Sequence, residues 1–214
     1  MNLCIIPARA GSKRIPKKNT RSFLGRPIIE YPLDAANYSN LFQQIIISTD
    51  DEYIAENYSV YVPFLRSPEA ATDTATLTDV VLDVLTNYNQ YDKICVILPT
   101  AVFTQPFDLL SAYNKLEDGI DAVVPVCPYE HPIERAFYRD DGLLYMLNPD
   151  SAMTRTQDFI PKYHDAGQFY WLSVPSFLEH RRFFMPSTLP YIMRAVDIDT
   201  ESDWKRAEAI IGHA

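Results

Sequence analysis

The chain has 214 residues with 19 basic and 28 acidic side chains, a formal charge of −9. A pI near 4.9 excludes a general nucleic-acid binder, which presents a broad basic face. No apolar run approaches the ~20 residues of a membrane span, and a hydrophobic content of 47% is that of a chain with a real core. The charge is unevenly spread. Residues 1–26 hold seven cations (Arg9, Lys13, Arg14, Lys17, Lys18, Arg21, Arg26) and no carboxylate, which leaves the remainder at −16.

In chain order, LCII (3–6), QIIIS (44–48), VYV (60–62), KICVIL (93–98) and DAVVPV (121–126) are short runs rich in β-branched residues. They lack polar alternation, as strands buried on both faces of a parallel sheet do. Amphipathic segments of helical length separate them at 27–37, 51–57, 76–88 and 106–117, the last with Pro106 placed for a first turn. This alternation predicts an α/β fold with a doubly wound, mostly parallel sheet. After about residue 127 the pattern changes to prolines and aromatics without a helical stripe. FYRDDGLLYML (137–147) reads as a hairpin turning at Asp141-Gly142, and DAGQFYWLSV (165–174) as another strand. We expect residues 128–175 to form a small β-rich lobe inserted into a single domain spanning 1–214. YIMRAVD (191–197) returns as a strand, and 200–212 closes the chain as a helix capped by Thr200.

Three cysteines, Cys4, Cys95 and Cys127, are too few and too scattered for a disulfide framework. The N-terminus carries its charges after its apolar stretch and so lacks a signal-peptide pattern. Both features predict a cytoplasmic protein. The four histidines have no metal-ligand spacing, and Ser12 has no His/Asp pattern that would make it a nucleophile.

Two constellations carry chemistry. The first is the loop after the first strand, Pro7 to Thr20, with five cations in ten positions and Gly11-Ser12 for tight turns. In open α/β sheets ligands bind at the carboxyl ends of strands, where backbone N–H groups cradle phosphate. Arg9 is suited to grip phosphate bidentately and Lys13 to act as a mobile charge. The spacing is neither GxxxxGK[ST] nor GxGxxG, and the alternative is a solvated basic loop. The second constellation is Asp197 and Asp199. Residues i and i+2 share a face of a strand, and two hard carboxylates there suit Mg²⁺ completed by phosphates and water. The alternative is an acidic turn that caps the last helix. Together the two make nucleotidyl transfer the natural chemistry. Asp51 reads as a helix cap; Asp50 is either a second cap or a substrate contact.

Ile6-Pro7-Ala8-Arg9-Ala10-Gly11-Ser12-Lys13 with Lys18-Asn19 resembles the opening motif of the CMP-sialate synthetase (acylneuraminate cytidylyltransferase) family. Ser48-Thr49-Asp50-Asp51-Glu52, Arg66-Ser67-Pro68 and Asp197-Ile198-Asp199 match in order, so the resemblance covers essentially the whole chain. It implies a Rossmann-like nucleotidyltransferase fold, CTP and Mg²⁺ as requirements, a nine-carbon 2-keto sugar acid as acceptor, and a homodimer. Arg14 in place of the glycine usual in the sialate enzymes, His131 to Phe137, and the stretches 154–158 and 163–171 are most similar to the pseudaminic acid branch. On this resemblance Ala8, Arg9, Gly11, Ser12, Lys13, Asn19 and Arg66 would bind nucleotide. Arg9, Lys13, Asp197 and Asp199 would be catalytic, the two aspartates holding the metal. Arg155, Gln157, Asp165, Gln168 and Tyr170 would contact the sugar, with Phe169 and Trp171 divided between sugar stacking and core. Val102 replaces a proline usual in the family, and Leu98 stands where the sialate enzymes place Gln, a lost sugar contact that weakens sialic acid as acceptor. Legionaminic or sialic acid, or a non-catalytic nucleotide-binding homologue, are the alternatives.

Overall fold

Residues 1–213 are described by a computed structural model of the chain. In chain order the elements are β1 (Asn2–Pro7), β2 (Ser22–Phe23), β3 (Arg26–Pro27), α1 (Glu30–Ser39), β4 (Gln44–Ser48), α2 (Glu52–Asn57), α3 (Leu77–Asn87), β5 (Lys93–Ile97), α4 (Pro106–Tyr113), β6 (Ala122–Pro128), β7 (Phe137–Asp140), β8 (Leu143–Met146), β9 (Tyr163–Asp165), β10 (Phe169–Ser173), α5 (Val174–His180), β11 (Thr188–Ile192) and α6 (Glu201–Gly212). The central sheet runs β11-β6-β10-β5-β1-β4, with β9 paired to β6. β1 is parallel to both β4 and β5, and β11 is parallel to β6. β10 is antiparallel to both of its neighbours and β9 to β6. The fold is a mixed α/β sheet, mostly parallel.

Both faces of the sheet are covered. Cys4, Ile6 and Trp171 pack with Leu33 and Ala36 of α1 and Leu109 and Ala112 of α4 on one side. Leu3, Ile5 and Leu172 pack with Val81 and Val84 of α3 and Phe177 of α5 on the other. The absence of alternation in the strand sequences follows from this double burial. The chain leaves β1 for β4 through α1 on one face, then reaches β5, on the other side of β1, through α3 on the opposite face. A topological switch therefore falls between β1 and β5. A third cluster joins Ile15, Phe23, Ile28, Ile198 and Trp204. It ties the basic loop and the 198 region to α6.

The caps are local and legible. Thr76 accepts from the Asp79 N–H (3.2 Å) while Asp79 Oδ2 accepts from the Thr76 N–H (2.7 Å). Thr200 and Asp203 make the same reciprocal pair at α6, and Asp51 caps α2 through the Tyr53 N–H.

Three expectations differ from the structure. VYV (60–62) is not a strand: Ser59–Tyr61 is a short 3₁₀ turn ahead of Pro63, beside the sheet edge formed by β4. The strand expected over 191–197 lies at 188–192, and residues 193–199 continue outside the ladder. The segment 165–174 splits at Gly167 (φ +62°), and its second half, β10, sits in the middle of the main sheet instead of in a lobe. The reason is readable in its residues. Phe169, Tyr170, Trp171 and Leu172 are four consecutive buried apolar residues, the mark of a strand covered on both faces. The portion standing outside the sheet thus ends near residue 162, where β9 begins its pairing with β6, thirteen residues before the expected boundary at 175. It carries the β7–β8 hairpin, which turns at Asp141-Gly142 with both residues at positive φ.

Candidate active site

A cleft of about 630 Å³ opens at the carboxyl ends of β1 and β5, at the topological switch. Its walls include Arg9, Ser12, Lys13, Asn19, Arg66, Asp197 and Asp199, which the sequence singled out. They also include Arg14, Lys18, Asp73, Thr76, Leu98 and Thr100, which it did not assign to a site. Five cations and three carboxylates line the cleft, a net charge of two positive in a protein whose total is −9.

The basic loop is held by its own polar groups. The Ala8 N–H donates to Ser48 O (2.9 Å), and Thr49 Oγ1 donates to Ala8 O (2.6 Å). Asp50 Oδ1 accepts from the Ala10 N–H (2.9 Å), so Asp50 shapes the loop and does not cap α2. Asn19 Nδ2 donates to Arg9 O (2.9 Å). Buried Ile15 anchors the far limb of the loop. Ala8 is fully buried and Gly11 is exposed outside the cleft wall, so neither faces the cavity. Both belong to the loop's frame.

Arg66 is nearly buried. Its Nε donates to Ser48 Oγ (3.0 Å) and its Nη2 to Ser48 O (2.6 Å). Burial pulls the guanidinium below its usual pKa, opposed by the charges of Asp50 and Asp83. Lys13 Nζ lies 2.7 Å from Asp73 Oδ2, and Arg9 lies 3.5 Å from Asp73 Oδ1. The Lys13 hydrogen bond, reinforced by the charges of Lys13 and Arg9, holds the Asp73 carboxyl below the usual range. Asp73 thus neutralises the two cations best placed for phosphate. Its only sequence signal is its place between Thr72 and Thr74, three residues before a helix cap.

Asp197 and Asp199 lie on one face of the chain because Val196 and Ile198 are buried on the other. Asp199 Oδ1 accepts from Arg14 (2.9 Å) and Lys18 (3.4 Å), and Lys18 also donates to Ile198 O. Asp197 is exposed at the cleft wall, between buried Val196 and Ile198. Loss of solvent raises its pKa first, then the charge of Asp199, with Lys18 opposing and Asp165 and Asp203 adding. Among the described residues no group of three or more His, Cys, Asp or Glu could hold a metal ion by itself.

The residues expected to contact a sugar fall differently. Asp165 lies near Asp197, but its oxygens accept from the Tyr170 hydroxyl (2.6 Å) and the Gly167 N–H (2.9 Å). Tyr170 is buried and tied to Asp165; burial and that carboxylate push its phenol pKa well up. Gln168 is fully buried. Its amide N–H groups go to Ala166 O and Gly167 O, and its oxygen accepts from the Phe103 N–H. It is a lock between loops, and the expected sugar contact by Gln168 has no free donor or acceptor facing the cleft. Phe169 and Trp171 are core, with Trp171 Nε1 donating to Leu109 O (3.1 Å). Arg155 pairs with Asp158 on the exposed segment, and neither it nor Gln157 forms part of the cleft wall.

No helix of the structure is long and apolar enough to cross a membrane. Residues 3–211 match the family model described as Cytidylyltransferase. The chain is 37% identical over 221 residues to a pseudaminic acid cytidylyltransferase of Campylobacter jejuni, covering 98% of this chain and 95% of that protein. It is 31% identical to a CMP-N,N'-diacetyllegionaminic acid synthase of Legionella pneumophila, with coverage of 98% and 95%. The solved structure of CMP:2-keto-3-deoxy-manno-octonic acid synthetase complexed with CTP superposes with a TM-score of 0.73 at 14% identity, covering 99% of this chain and 98% of that one, a likeness of fold. The basic loop, the carboxylate pair and the switch-point cleft are thus features of a chain that belongs to the cytidylyltransferase family.

Proposed function

We propose that this chain joins CMP from CTP to pseudaminic acid and releases pyrophosphate. The observation that carries the reading is the convergence of the cations of the basic loop and the Asp197/Asp199 pair on one cleft. Full-length similarity to a protein named for this reaction supports pseudaminic acid as the acceptor. The sugar's anomeric hydroxyl attacks the α-phosphorus; an O–P bond forms as the bond to pyrophosphate breaks, and the hydroxyl proton passes to solvent water. Arg9 and Lys13 hold the triphosphate and offset the charge that grows on the leaving group. Asn19 and Arg66, the most buried polar residues of the cleft wall besides Thr100, are assigned to ribose and base.

The residues present fit Mg²⁺. Asp197 is a carboxylate whose neighbours are mostly other carboxylates, and two carboxylates leave most of an octahedral shell for phosphate and water. Asp197 and Asp199 would hold the ion, which when bound neutralises phosphate charge and acidifies a hydroxyl. Arg14 and Lys18 hold the Asp199 carboxylate in place.

The segment outside the sheet exposes the large apolar side chains of Phe137, Leu143, Leu144, Leu147, Met153 and Ile160, residues of the kind that line interaction surfaces. We read the chain as one domain whose protruding hairpin region binds a second copy and faces the sugar. Three free, buried cysteines agree with a cytoplasmic setting.

Purified protein with CTP, Mg²⁺ and pseudaminic acid should release pyrophosphate, and Asp199→Asn should abolish release while the fold persists. Faster release with legionaminic or sialic acid would move the acceptor. CTP binding without release with any of the three would make the chain a silent nucleotide binder. Light scattering should give twice the chain mass; a monomer would remove the dimer.

A further inference from the structure

Among the described residues no hydrogen bond holds the Asp197 carboxylate, and the nearby Gly167 N–H and Tyr170 hydroxyl both donate to Asp165 instead. What meets it is the backbone of Gly167. A Cβ added at Gly167 would lie 2.5 Å from Asp197 Cγ, 2.7 Å from Oδ1 and 2.8 Å from Cβ. Real side chains do not approach so closely. The backbone conformation there, with φ of +62°, is also the left-handed one that favours glycine.

The turn that carries Gly167 is tied down on every side. The Gly167 N–H donates to Asp165 Oδ1, and the Tyr170 hydroxyl holds Asp165 Oδ2. Gln168 Nε2 donates to Ala166 O (3.2 Å) and Gly167 O (3.1 Å). The Ala166 N–H donates to Pro125 O (3.0 Å) and the Leu98 N–H to Gln168 O (2.8 Å), which fixes the turn to β6 and to the end of β5. These polar groups are spent on the shape of the turn, and the surface it offers Asp197 is the bare backbone of Gly167.

We propose that Gly167 is a positioning residue, a seat whose missing side chain sets the location of the Asp197 carboxylate. Donors would also fix a carboxylate, but they would occupy its lone pairs and weaken it as a ligand. Contact with a bare backbone fixes the position and leaves both oxygens free. This rests on the cytidylyltransferase reading of Asp197 and extends it to the residue that aims it. It also gives Asp165, Gln168 and Tyr170 a common role, which is to hold the seat.

The test compares wild type, Gly167→Ala and Gly119→Ala. Gly119 has φ of +86° and nothing within 4 Å of an added Cβ, so its variant carries the left-handed strain without the collision. With CTP and pseudaminic acid, Gly167→Ala should lose about 10- to 100-fold in kcat, the usual effect of misplacing a reacting group by ~1 Å. Its KM for CTP should change little, because Arg9 and Lys13 are untouched. Mn²⁺ affinity in the presence of CTP, read by electron paramagnetic resonance, should weaken about tenfold. Gly119→Ala should match wild type in all three. Wild-type kcat and Mn²⁺ affinity in Gly167→Ala would overturn the inference and leave the enzyme reading intact. A wild type with neither turnover nor Mn²⁺ uptake would overturn both. If Gly167→Ala fails to fold, its melting shift is measured in an Asp197→Gly background, which lacks all three clashing atoms. There Gly167→Ala should cost no more than Gly119→Ala, and a similar failure to fold would refute the contact.

Discussion

Replacing Arg66 by Met separates the two uses of a buried cation at the cleft wall. The substitution keeps the aliphatic stem and removes the guanidinium, and with it the bonds to Ser48 Oγ and Ser48 O. Ser48 O keeps the Ala8 N–H as a donor at 2.9 Å, so it is not orphaned. Ser48 Oγ, on a residue only 1% exposed, loses its partner. A buried hydroxyl left alone costs about 1–3 kcal/mol. Release of a desolvated cation offsets part of this. The net loss should be about 1–2 kcal/mol, a fall in Tm of about 2–8 °C for a chain of this size. Differential scanning fluorimetry reads the fall, and titration with CTP reads the accompanying loss of affinity. Adding Ser48→Ala removes the orphaned hydroxyl and should restore about half of the lost stability without restoring CTP binding. A Tm equal to or above wild type in Arg66→Met would contradict this, because burial of the cation would then cost more than its bonds return.

Asp197→Asn should raise Tm at neutral pH in EDTA by about 1–2 °C, while abolishing turnover. The carboxyl's folded pKa lies above its unfolded value, so its ionisation weakens the fold as pH rises through the folded pKa. The gain should therefore shrink below about pH 4, where both states are protonated; a gain independent of pH would rule out this cause. Asp73→Asn should lower the KM for CTP a few-fold, since Asp73 competes for Lys13 and Arg9, and an increased KM would mean that Asp73 supports the nucleotide. Cys4 and Cys95 should resist Ellman's reagent in the folded protein and react only on unfolding, because full burial pushes both thiols up and keeps reagent out. Tyr170→Phe should lower Tm by about 2–6 °C through the loss of its bond to Asp165, with unchanged Tm as the contrary result.

Much of this architecture is legible from local pattern. Unalternating β-branched runs mark strands covered on both faces, and Thr200 and Asp51 cap where a short polar side chain precedes a helix. The basic loop and the 197/199 pair stand out because charge type and strand context coincide. What is not legible depends on contacts distant in sequence. Asp73 reads as one polar residue in a Thr-rich stretch until the fold sets it against Lys13, 60 positions earlier. Gln168 and Tyr170 have the chemistry of sugar contacts, and only the insertion of β10 between β5 and β6 turns them inward. Gly167 is one glycine of six by composition; its collision with residue 197 exists only in three dimensions.

Acceptor choice and catalysis are read together in a single competition. Equal amounts of pseudaminic, legionaminic and N-acetylneuraminic acids are offered with limiting CTP and Mg²⁺, and the CMP-sugars are resolved by chromatography against authentic products. CMP-pseudaminate should be the dominant product, and it should be absent with Asp199→Asn. A different dominant CMP-sugar, or none at all, would show that this chain is not a pseudaminic acid cytidylyltransferase.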